Sequence, residues 1–462
     1  MTELLTSDQM RALEAAEIDS GAVTGVQLME RAGQGVVDAM LRHWPELAEG
    51  GHKALVLSGP GNNGGDGFVI ARLLSERGWH VHVFLYGDPS RLPPDAKTNH
   101  DRWAARHTVG AWDLGAIKSG GRPDIIVDAV FGIGLTRPLP VEVAAVLDRA
   151  MVTAWRNATQ IKRVAVDCPS GLNLDNGHVP LEGEPGTDGS GPWPAPLNSA
   201  DLTVTFHTPK PGHYLGMGPL LCGALRVADI GLMGDARERV SLMHRPDPER
   251  VRLVAPDFNG RRLSQWPMRL IGKGRAGGHK YQHGHCMVFA GGVGRGGAGR
   301  LAARSALRAG AGLVTVLCPP AALQENACHL DAVMLRALRD DAPLDDVADD
   351  RVTAFCLGPG MRVSEMTQER VLEVLARRAG HEEARHPAVV LDADALGSFA
   401  DMPERLFSAA HARTILTPHE GEFARLFPDL ARNARGTRSK IDVAREAAAR
   451  AGCIVLLKGE DT

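Results

Sequence analysis

Ser58-Gly-Pro-Gly-Asn-Asn-Gly-Gly-Asp-Gly67 separates an apolar run, residues 53–57, from a segment of helical periodicity, residues 68–77. An apolar run, a glycine-rich turn and a helical pattern together predict a βα junction. Glycines at such a junction can adopt positive φ and let the backbone approach a ligand closely. The N–H groups of the following helix favour an anion such as a pyrophosphate. Because Asn62, Asn63 and Asp66 add polar side chains, the loop indicates chemistry or ion binding as well.

Several nucleotide-binding motifs are possible interpretations of this loop. Residues 59–64 satisfy G-x-G-x-x-G literally, but no Lys-Ser/Thr pair follows, and this excludes a P-loop. A dinucleotide-binding fingerprint would place an acid about 20 residues further on, after the next strand. The predicted strand 81–86 is followed by Asp88, so a redox Rossmann domain is one alternative. A purely structural glycine turn is the other.

The composition is that of a soluble enzyme with two or three domains. The chain has 462 residues, of which 44% are hydrophobic and 23% are charged. A net charge of −3 gives no electrostatic reason to expect binding to nucleic acid or to an anionic membrane. The seven cysteines form no C-x-x-C pair, which favours buried thiols in a reducing compartment. Residues 1–10 do not resemble a signal peptide, and no apolar run is long enough to span a membrane. We therefore expect a cytoplasmic protein.

Strand-like and helix-like segments alternate in two halves of the chain, which predicts an α/β fold with mostly parallel sheets. We assign residues 1–235 to a first domain, 236–255 to a linker crowded with Arg, Asp and Pro, and 256–462 to a second domain. In the first domain the predicted strands are 53–57, 81–86, 124–130, 163–166, 201–206 and 224–229, and the predicted helices include 26–41, 68–77 and 141–150. In the second domain the predicted strands are 285–290, 313–318, 352–357, 388–392, 414–416 and 453–457, and the predicted helices include 300–309 and 439–449.

Polar groups in the first half are concentrated where the predicted strands end. Besides the glycine loop, Asp128 closes one apolar strand and Asp167 follows another, each with glycine nearby. In open α/β sheets, ligands collect at the carboxyl ends of strands. A single such carboxylate is readily explained as a turn former or helix cap, but three converging polar groups indicate a site. Their oxygen atoms could also hold a hard cation.

Four motifs of the first half resemble the NAD(P)H-hydrate epimerase domain. They are Ser58–Gly67, Val127-Asp-Ala-Val-Phe-Gly132, Asp167-Cys-Pro-Ser-Gly171 and Thr203-Val-Thr-Phe-His-Thr-Pro-Lys-Pro-Gly-His213. The resemblance implies a Rossmann-like three-layer fold and contacts to the hydrated cofactor from Asn62, Asn63, Gly64, Gly65 and Asp66, and from Gly132, Ile133, Gly134, Leu135, Thr136, Arg137 and Pro138. It implies a potassium ion held by Asn63, Asp128 and Ser170. Asp167 would bind the substrate and act as the acid/base, although the residue types alone leave Asp128 as an alternative.

The second half is similar to the ADP-dependent NAD(P)H-hydrate dehydratase domain, which has the ribokinase-like fold. The resemblance is carried by Ala290-Gly-Gly-Val-Gly294, Leu357-Gly-Pro-Gly360, Leu391-Asp-Ala-Asp-Ala-Leu396 and Leu416-Thr-Pro-His-Glu-Gly-Glu-Phe423. It implies hydrate-binding positions at Ala298, Gly360 and His419. It also implies that Lys458, Gly459, Glu460, Asp461 and Thr462 bind ADP, which is used with Mg²⁺. Arg362 stands where the family often has another glycine, which puts contacts beyond Gly360 in question.

The two domains in this order resemble the bifunctional nicotinamide-nucleotide repair enzymes. The expected substrates are hydrated NADH and NADPH, interconverted between R and S forms, with ADP-dependent dehydration of the S form to give AMP and phosphate. The family continues past Thr462 to a Gly-Ser-Gly-Asp segment with a catalytic Asp, so we expect this chain to be a C-terminally truncated part of a longer protein. We also expect the enzyme to form homo-oligomers. If residue 462 were the native end, the dehydratase would be impaired. A non-catalytic nucleotide-binding protein and a ribokinase-like small-molecule kinase are the alternatives.

Overall fold

The computed structural model describes residues 2–135, 137–147, 161–180, 199–232, 251–253, 280–378, 386–434, 438–459 and 461–462. The chain divides into two units, Met1–Ala255 and Pro256–Thr462. Residues 251–253, inside the segment assigned to the linker, form a strand of the first unit, because they pair antiparallel with residues 2–4. The first unit thereby joins two segments that lie about 250 positions apart in the sequence.

The N-terminal unit contains a seven-stranded parallel sheet with the order β4-β3-β2-β5-β6-β7-β8. The strands of this unit are β1 (Thr2–Leu4), β2 (Lys53–Ser58), β3 (His80–Leu85), β4 (Val109–Ala111), β5 (Ile125–Ala129), β6 (Lys162–Val166), β7 (Leu202–Phe206), β8 (Ala224–Ala228) and β9 (Val251–Leu253). The described helices are α1 (Ser7–Asp19), α2 (Gly25–His43), α3 (Asn62–Glu76), α4 (Pro94–Ala104), α5 (Leu114–Ser119), α6 (Val141–Leu147) and α7 (Gly218–Leu221). The strand order reverses between β2 and β5, which is where ligands bind in such sheets.

The C-terminal unit repeats this architecture with the order β12-β11-β10-β13-β14-β15-β16, again all parallel. Its strands are β10 (His285–Phe289), β11 (Leu313–Cys318), β12 (Met334–Ala337), β13 (Val352–Leu357), β14 (Ala388–Leu391), β15 (Thr414–Leu416) and β16 (Ile454–Val455). Its described helices are α8 (Gly297–Ala309), α9 (Leu323–Ala327), α10 (Glu365–Ala376), α11 (Asp394–Gly397), α12 (Pro403–Ala409), α13 (Glu420–Leu426), α14 (Pro428–Ala434) and α15 (Lys440–Ala451). Two units built on parallel sheets confirm the predicted α/β class.

Helix α3 begins at Asn62, six residues earlier than the sequence predicts. None of the glycines between Ser58 and Gly67 has a positive φ, so the expectation of left-handed backbone there is wrong. These glycines are needed for close packing instead. A Cβ atom at Gly64 would lie 2.0 Å from the carbonyl oxygen of Gly59, and one at Gly67 would lie 2.6 Å from Ser58 Oγ. The glycine loop is therefore the first turn of a helix pressed against the sheet.

Candidate functional site

The loops that follow β2 and β5 are fastened to each other at the carboxyl edge of the first sheet. The N–H of Gly59 donates to the carbonyl of Ala129 at 3.0 Å, and a Cβ atom at Gly59 would lie 1.8 Å from the carbonyl oxygen of Val130. A larger residue at position 59 would push the two loops apart. Because α3 follows the first loop directly, this contact places its N-terminal turn beside the end of β5.

Asp128 and Ser170 form a buried pair across the ends of β5 and β6. Ser170 Oγ donates to Asp128 Oδ1 at 2.6 Å, and the backbone N–H of Ser170 donates to Oδ2 at 2.8 Å. The N–H of Val130 also donates to Oδ1, at 3.2 Å. Ser170 Oγ in turn accepts from the N–H of Phe131 at 2.8 Å. Both carboxylate oxygens of Asp128 are thus held by neighbouring backbone and hydroxyl groups.

Asn63 lies in the first turn of α3 and approaches the loop after β5. Its Oδ1 is 3.2 Å from the position that a Cβ atom would occupy on Gly132, so a larger residue there would press on the Asn63 side chain. Its Nδ2 is buried and has no hydrogen-bond partner among the described residues. A buried amide without a partner is costly unless a ligand or ion completes it. Asn63 therefore contacts the loop after β5, in which the N–H of Phe131 donates to Ser170.

The remaining residues expected to contact the substrate lie in α3 and in the loop after β5. Gly64, Gly65 and Asp66 are buried in the first turns of α3, whereas Asn62 is exposed. In the loop after β5, Leu135 is buried, Ile133 and Pro138 are half-buried, and Gly134 and Arg137 are exposed. Thr136 lies outside the described residues. Gly61, which precedes the helix, has no side chain to cap it, so the first N–H groups of α3 are available to an anion.

Asp167 is engaged in a buried ion pair with Lys210, a residue to which the sequence assigned no role. Lys210 Nζ donates to Asp167 Oδ1 at 2.9 Å and to Thr205 Oγ1 at 2.7 Å, and Thr205 Oγ1 donates to the same Oδ1 at 2.7 Å. The Lys210 side chain is 1% exposed. Burial by itself raises the pKa of Asp167, but Lys210, His213 and Thr205 outweigh it and lower the pKa below its usual value. Asp167 is therefore ionised at neutral pH.

The backbone of Asp167 is fixed in an unusual conformation. Its φ is 63°, in the left-handed region that non-glycine residues seldom adopt. His213 Nδ1 accepts from the N–H of Lys210 at 3.0 Å, so Nε2 carries the proton and donates to the carbonyl of Asp167 at 2.9 Å. Burial, followed by the charge of Lys210, lowers the pKa of His213 to about 4. A neutral His213 thus holds Asp167 and Lys210 together through their backbones.

The charge of Asp167 acts on two further carboxyl groups, Asp66 and Glu14. Burial raises the pKa of Asp66 well above its usual value, and the charges of Asp167 and Glu14 raise it further. The pKa of half-buried Glu14 is raised by burial and then by Asp167, against the opposing effects of Lys210 and Arg11. The site thus contains one carboxyl group that favours ionisation and two that favour protonation, an arrangement typical of acid–base catalysis.

The C-terminal unit also gathers its predicted residues at the carboxyl edge of its sheet. A Cβ atom at Gly291, after β10, would lie 2.4 Å from the carbonyl oxygen of Gly360, so the loops after β10 and β13 touch. Ala298 is exposed in the first turn of α8, just beyond the first of these loops. Gly358 has a φ of 133°, and a Cβ atom there would lie 1.7 Å from the carbonyl oxygen of Asp392. A glycine is therefore required at position 358.

His419 and Lys458 lie side by side, because their backbones form a parallel bridge that continues the pairing of β15 with β16. His419 Nδ1 accepts from the N–H of Gly421 at 2.9 Å, which leaves the proton on Nε2 of a side chain that is 54% exposed. Lys458 Nζ donates to Asp392 Oδ1 at 2.6 Å. Asp392, which has no assigned role from the sequence, joins the strand ends of β14 and β16 through this bond.

The last residues form a short turn. Gly459 N–H donates to Thr462 Oγ1 at 2.8 Å, and Asp461 forms an ion pair with Lys440 of α15. Glu460 lies outside the described residues. Across the part of the chain that the structure describes, none of the helices has both the length and the apolar character needed to cross a membrane.

Two family models match the chain, one in each unit. The model described as YjeF-related protein N-terminus matches residues 25–212, and the model described as NAD(P)H-hydrate dehydratase matches residues 286–462. The first match covers Asn63, Asp128, Asp167 and Lys210. The second covers Gly360, His419 and Lys458.

Relatives of known function match either the first unit or nearly the whole chain. An NAD(P)H-hydrate epimerase of Roseobacter litoralis is 46% identical over 250 residues, which are 50% of this chain and 100% of the relative. Bifunctional NAD(P)H-hydrate repair enzymes of Moorella thermoacetica and Coxiella burnetii are 32% and 34% identical. These matches cover 99% and 92% of this chain, and 81% and 76% of the relatives. A solved structure of the ADP/ATP-dependent NAD(P)H-hydrate dehydratase from Bacillus subtilis, co-crystallised with ATP and Mg²⁺, is 26% identical. It covers 40% of this chain and 61% of that chain, with a TM-score of 0.31.

Proposed function

Because the chain belongs to the family of bifunctional NAD(P)H-hydrate repair enzymes, we propose that its two units perform the two reactions of that family. The N-terminal unit epimerises the R and S hydrates of NADH and NADPH. The C-terminal unit dehydrates the S hydrate to NAD(P)H and converts ADP to AMP and phosphate. The observation that carries the first assignment is the buried Asp167–Lys210 pair beside the first turn of α3. Family membership argues against a small-molecule kinase and against a non-catalytic binding protein.

The hydrate carries a hydroxyl group on the carbon beside the ring nitrogen, and epimerisation moves this group to the other face of the ring. We place the pyrophosphate of the substrate at the N-terminus of α3, where the first N–H groups have no side-chain cap. The nicotinamide end would then reach Asp167. Both described hydrogen bonds to the Asp167 side chain use Oδ1, so Oδ2 is the atom that we assign to proton transfer with substrate.

Asp167 is favoured over Asp128 as the acid/base for a geometric reason. Each oxygen of Asp128 accepts a hydrogen bond from Ser170, and Oδ1 accepts another from Val130. Proton transfer through Asp128 would disrupt these bonds. The same bonds fix the carboxylate in place, which suits a residue that holds an ion.

We propose that a potassium ion binds Asn63, Asp128 and Ser170. The three side chains offer amide, carboxylate and hydroxyl oxygens, which are the donors that hard cations prefer. The unpartnered amide of Asn63 supports the assignment, since rotating that amide exchanges the positions of its oxygen and nitrogen. When bound, the ion would supply positive charge near the substrate and tie the loops after β2, β5 and β6 together.

Potassium should raise both the epimerase activity and the thermal stability of the protein. A ligand that binds only the folded state stabilises it in proportion to the logarithm of its concentration. We would compare potassium chloride with choline chloride at equal ionic strength, following epimerisation and the unfolding temperature. Ser170→Ala should shift both responses to higher potassium concentration. Identical curves in the two salts would exclude the ion site.

In the C-terminal unit we propose that Ala298, Gly360 and His419 contact the hydrate and that residues 458–462 contact the adenine nucleotide. The support is that Gly360, Asp392, His419 and Lys458 meet at the same strand ends. The described residues contain no group of three or more His, Cys, Asp or Glu side chains arranged so that it could hold a metal ion. Mg²⁺ commonly binds through substrate phosphates with one or two carboxylates, so we propose that it enters with ADP.

We also propose a cytoplasmic location and self-association. All seven cysteines are free, which suits a reducing compartment. In the C-terminal unit, Val293 and Leu301 are 65% and 66% exposed, and a second copy of the chain could cover them. Light scattering of the purified protein would measure its oligomeric state.

The test of function is to incubate the purified protein with separated R and S hydrates and to resolve the products. Without ADP, we expect either hydrate to become a mixture of both. When the purified protein also includes the Gly-Ser-Gly-Asp segment of the family, we expect ADP and Mg²⁺ to convert both hydrates to NADH or NADPH, with AMP released. Hydrates that stay unmixed without ADP would contradict the assignment of the N-terminal unit, and absence of NAD(P)H with ADP would contradict that of the C-terminal unit.

A further inference from the structure

Asp66 is a buried carboxyl group for which the proposed chemistry so far has no use beyond contact with substrate. It lies in the first turns of α3, and its side chain is 8% exposed. It makes no hydrogen bond or ion pair within the described part of the chain. Burying a carboxylate without a partner is costly, so such a group retains its proton.

The charged groups around Asp66 reinforce this state. The charges of Asp167, after β6, and of Glu14, on α1, both oppose the ionisation of Asp66. The cations nearby are engaged elsewhere, since Lys210 binds Asp167 and Thr205, and Arg11 binds Asp8 and the carbonyl of Ile133. The pKa of Asp66 is thus raised while that of Asp167 is lowered, so Asp66 is the better proton donor of the two and Asp167 the better carrier of charge.

Epimerisation involves two proton transfers, which two groups can share, because the hydroxyl leaves from one face of the ring and water returns to the other. Asp66 follows β2 and Asp167 follows β6, with β5 between these strands in the sheet. The two carboxyl groups therefore approach the site from separate strand ends. We propose, on the basis of the epimerase function assigned above, that Asp66 donates the proton to the departing hydroxyl and that Asp167 accepts the proton from the incoming water.

The proposed reaction balances without a further reactant. Asp66 protonates the hydroxyl, the C–O bond breaks with its electron pair leaving on water, and the ring nitrogen forms a C=N bond with its lone pair. Water then adds to the same carbon from the opposite face, the C=N electron pair returns to nitrogen, and Asp167 removes the surplus proton. After the reaction Asp66 is ionised and Asp167 is protonated, and the reverse reaction begins from this state. Proton exchange with solvent restores the original protonation of both residues.

The experiment compares Asp66→Asn with Asp167→Asn in the full-length chain. Asn fills the volume of Asp but cannot donate a carboxylic proton, so we expect Asp66→Asn to lower the kcat of epimerisation by about 10²-fold with little change in KM. Asp101→Asn is the matched control, because Asp101 is an exposed carboxylate on α4 that binds Lys97 and His100. It should retain normal kinetics.

The pH profile provides the second readout. In the unmodified protein we expect activity to fall on the alkaline side as Asp66 loses its proton. The charged groups that influence this titration are Asp167, Glu14, Lys210 and Arg11. If Asp66→Asn raises KM but leaves kcat unchanged, Asp66 is only a binding residue and the inference is wrong. If Asp167→Asn is also fully active, the proposed site itself is wrong. Should Asp66→Asn fail to fold, absence of an alkaline limb in the unmodified protein would overturn the inference.

Discussion

Asp167→Asn is expected to slow epimerisation by about 10³-fold, within the range that general acid–base groups contribute. The substitution keeps the shape of the side chain and removes the group that binds and releases protons. It also weakens the attraction for Lys210, whose Nζ lies 2.9 Å from Asp167 Oδ1. Because Asn is tolerated at positive φ, the backbone at position 167 should be preserved.

The measurement is the rate of conversion of pure R hydrate to the equilibrium mixture, at a temperature where both proteins are folded. Asp101→Asn serves again as the exposed control. ADP-dependent dehydration of the S hydrate, which we assign to the other unit, should be unaffected by Asp167→Asn. Epimerisation within a few-fold of normal would remove Asp167 from the chemistry.

Lys210→Met is expected to destabilise the N-terminal unit by about 3–5 kcal/mol, as is typical when one partner of a buried ion pair is removed. Asp167 would then be a buried carboxylate without its cation. Loss of Lys210 should also raise the pKa of Asp167, since that charge contributes to holding it down. Stability that depends on ionised Asp167 is present above the usual pKa of an aspartate and is lost as the pH falls through the lowered value.

Chemical denaturation of the single and double variants separates these effects. Lys210→Met combined with Asp167→Asn should cost less than the two single changes added together, because the double variant leaves no buried charge unpaired. Lys97→Met provides the control, since that lysine is half-exposed and its pair with Asp101 should contribute less than about 1 kcal/mol. Equal costs for Lys97→Met and Lys210→Met would show that the buried pair is not a structural anchor.

Much of the architecture could be predicted from the sequence because parallel strands are read as continuous apolar runs. The runs before Ser58 and after Asp124 are buried on both faces and became β2 and β5. The start of α3 was placed too late because glycines in a first turn look like a loop. The short strands β4 and β12 were missed, since three or four residues at a sheet edge give little periodic signal.

Only part of the site could be predicted from the sequence, because some of its residues directly follow a strand and others do not. Asp128 and Asp167 each follow an apolar strand directly, so their place at the sheet edge follows from the sequence. Lys210 and His213 do not follow a strand directly, so their place in the site does not follow from the sequence, although the stretch that contains them carries the family resemblance. Lys210 reaches Asp167 across 43 positions of sequence, and only the folded chain shows that a neutral histidine holds the two together. Glu14 enters the site from α1 and has no local signature.

The pairing of β1 with β9 affects how this enzyme can fold while it is being made. Glu3 and Leu5, in and just after β1, bond to Thr208 and Pro209, immediately before Lys210. β1 is synthesised before every strand of the first sheet, whereas its partner, residues 251–253, is synthesised only after all of them. At about 5–20 residues per second, the interval is roughly 12–50 seconds. Until then the segment leading into α1, the helix that carries Glu14, lacks its strand partner.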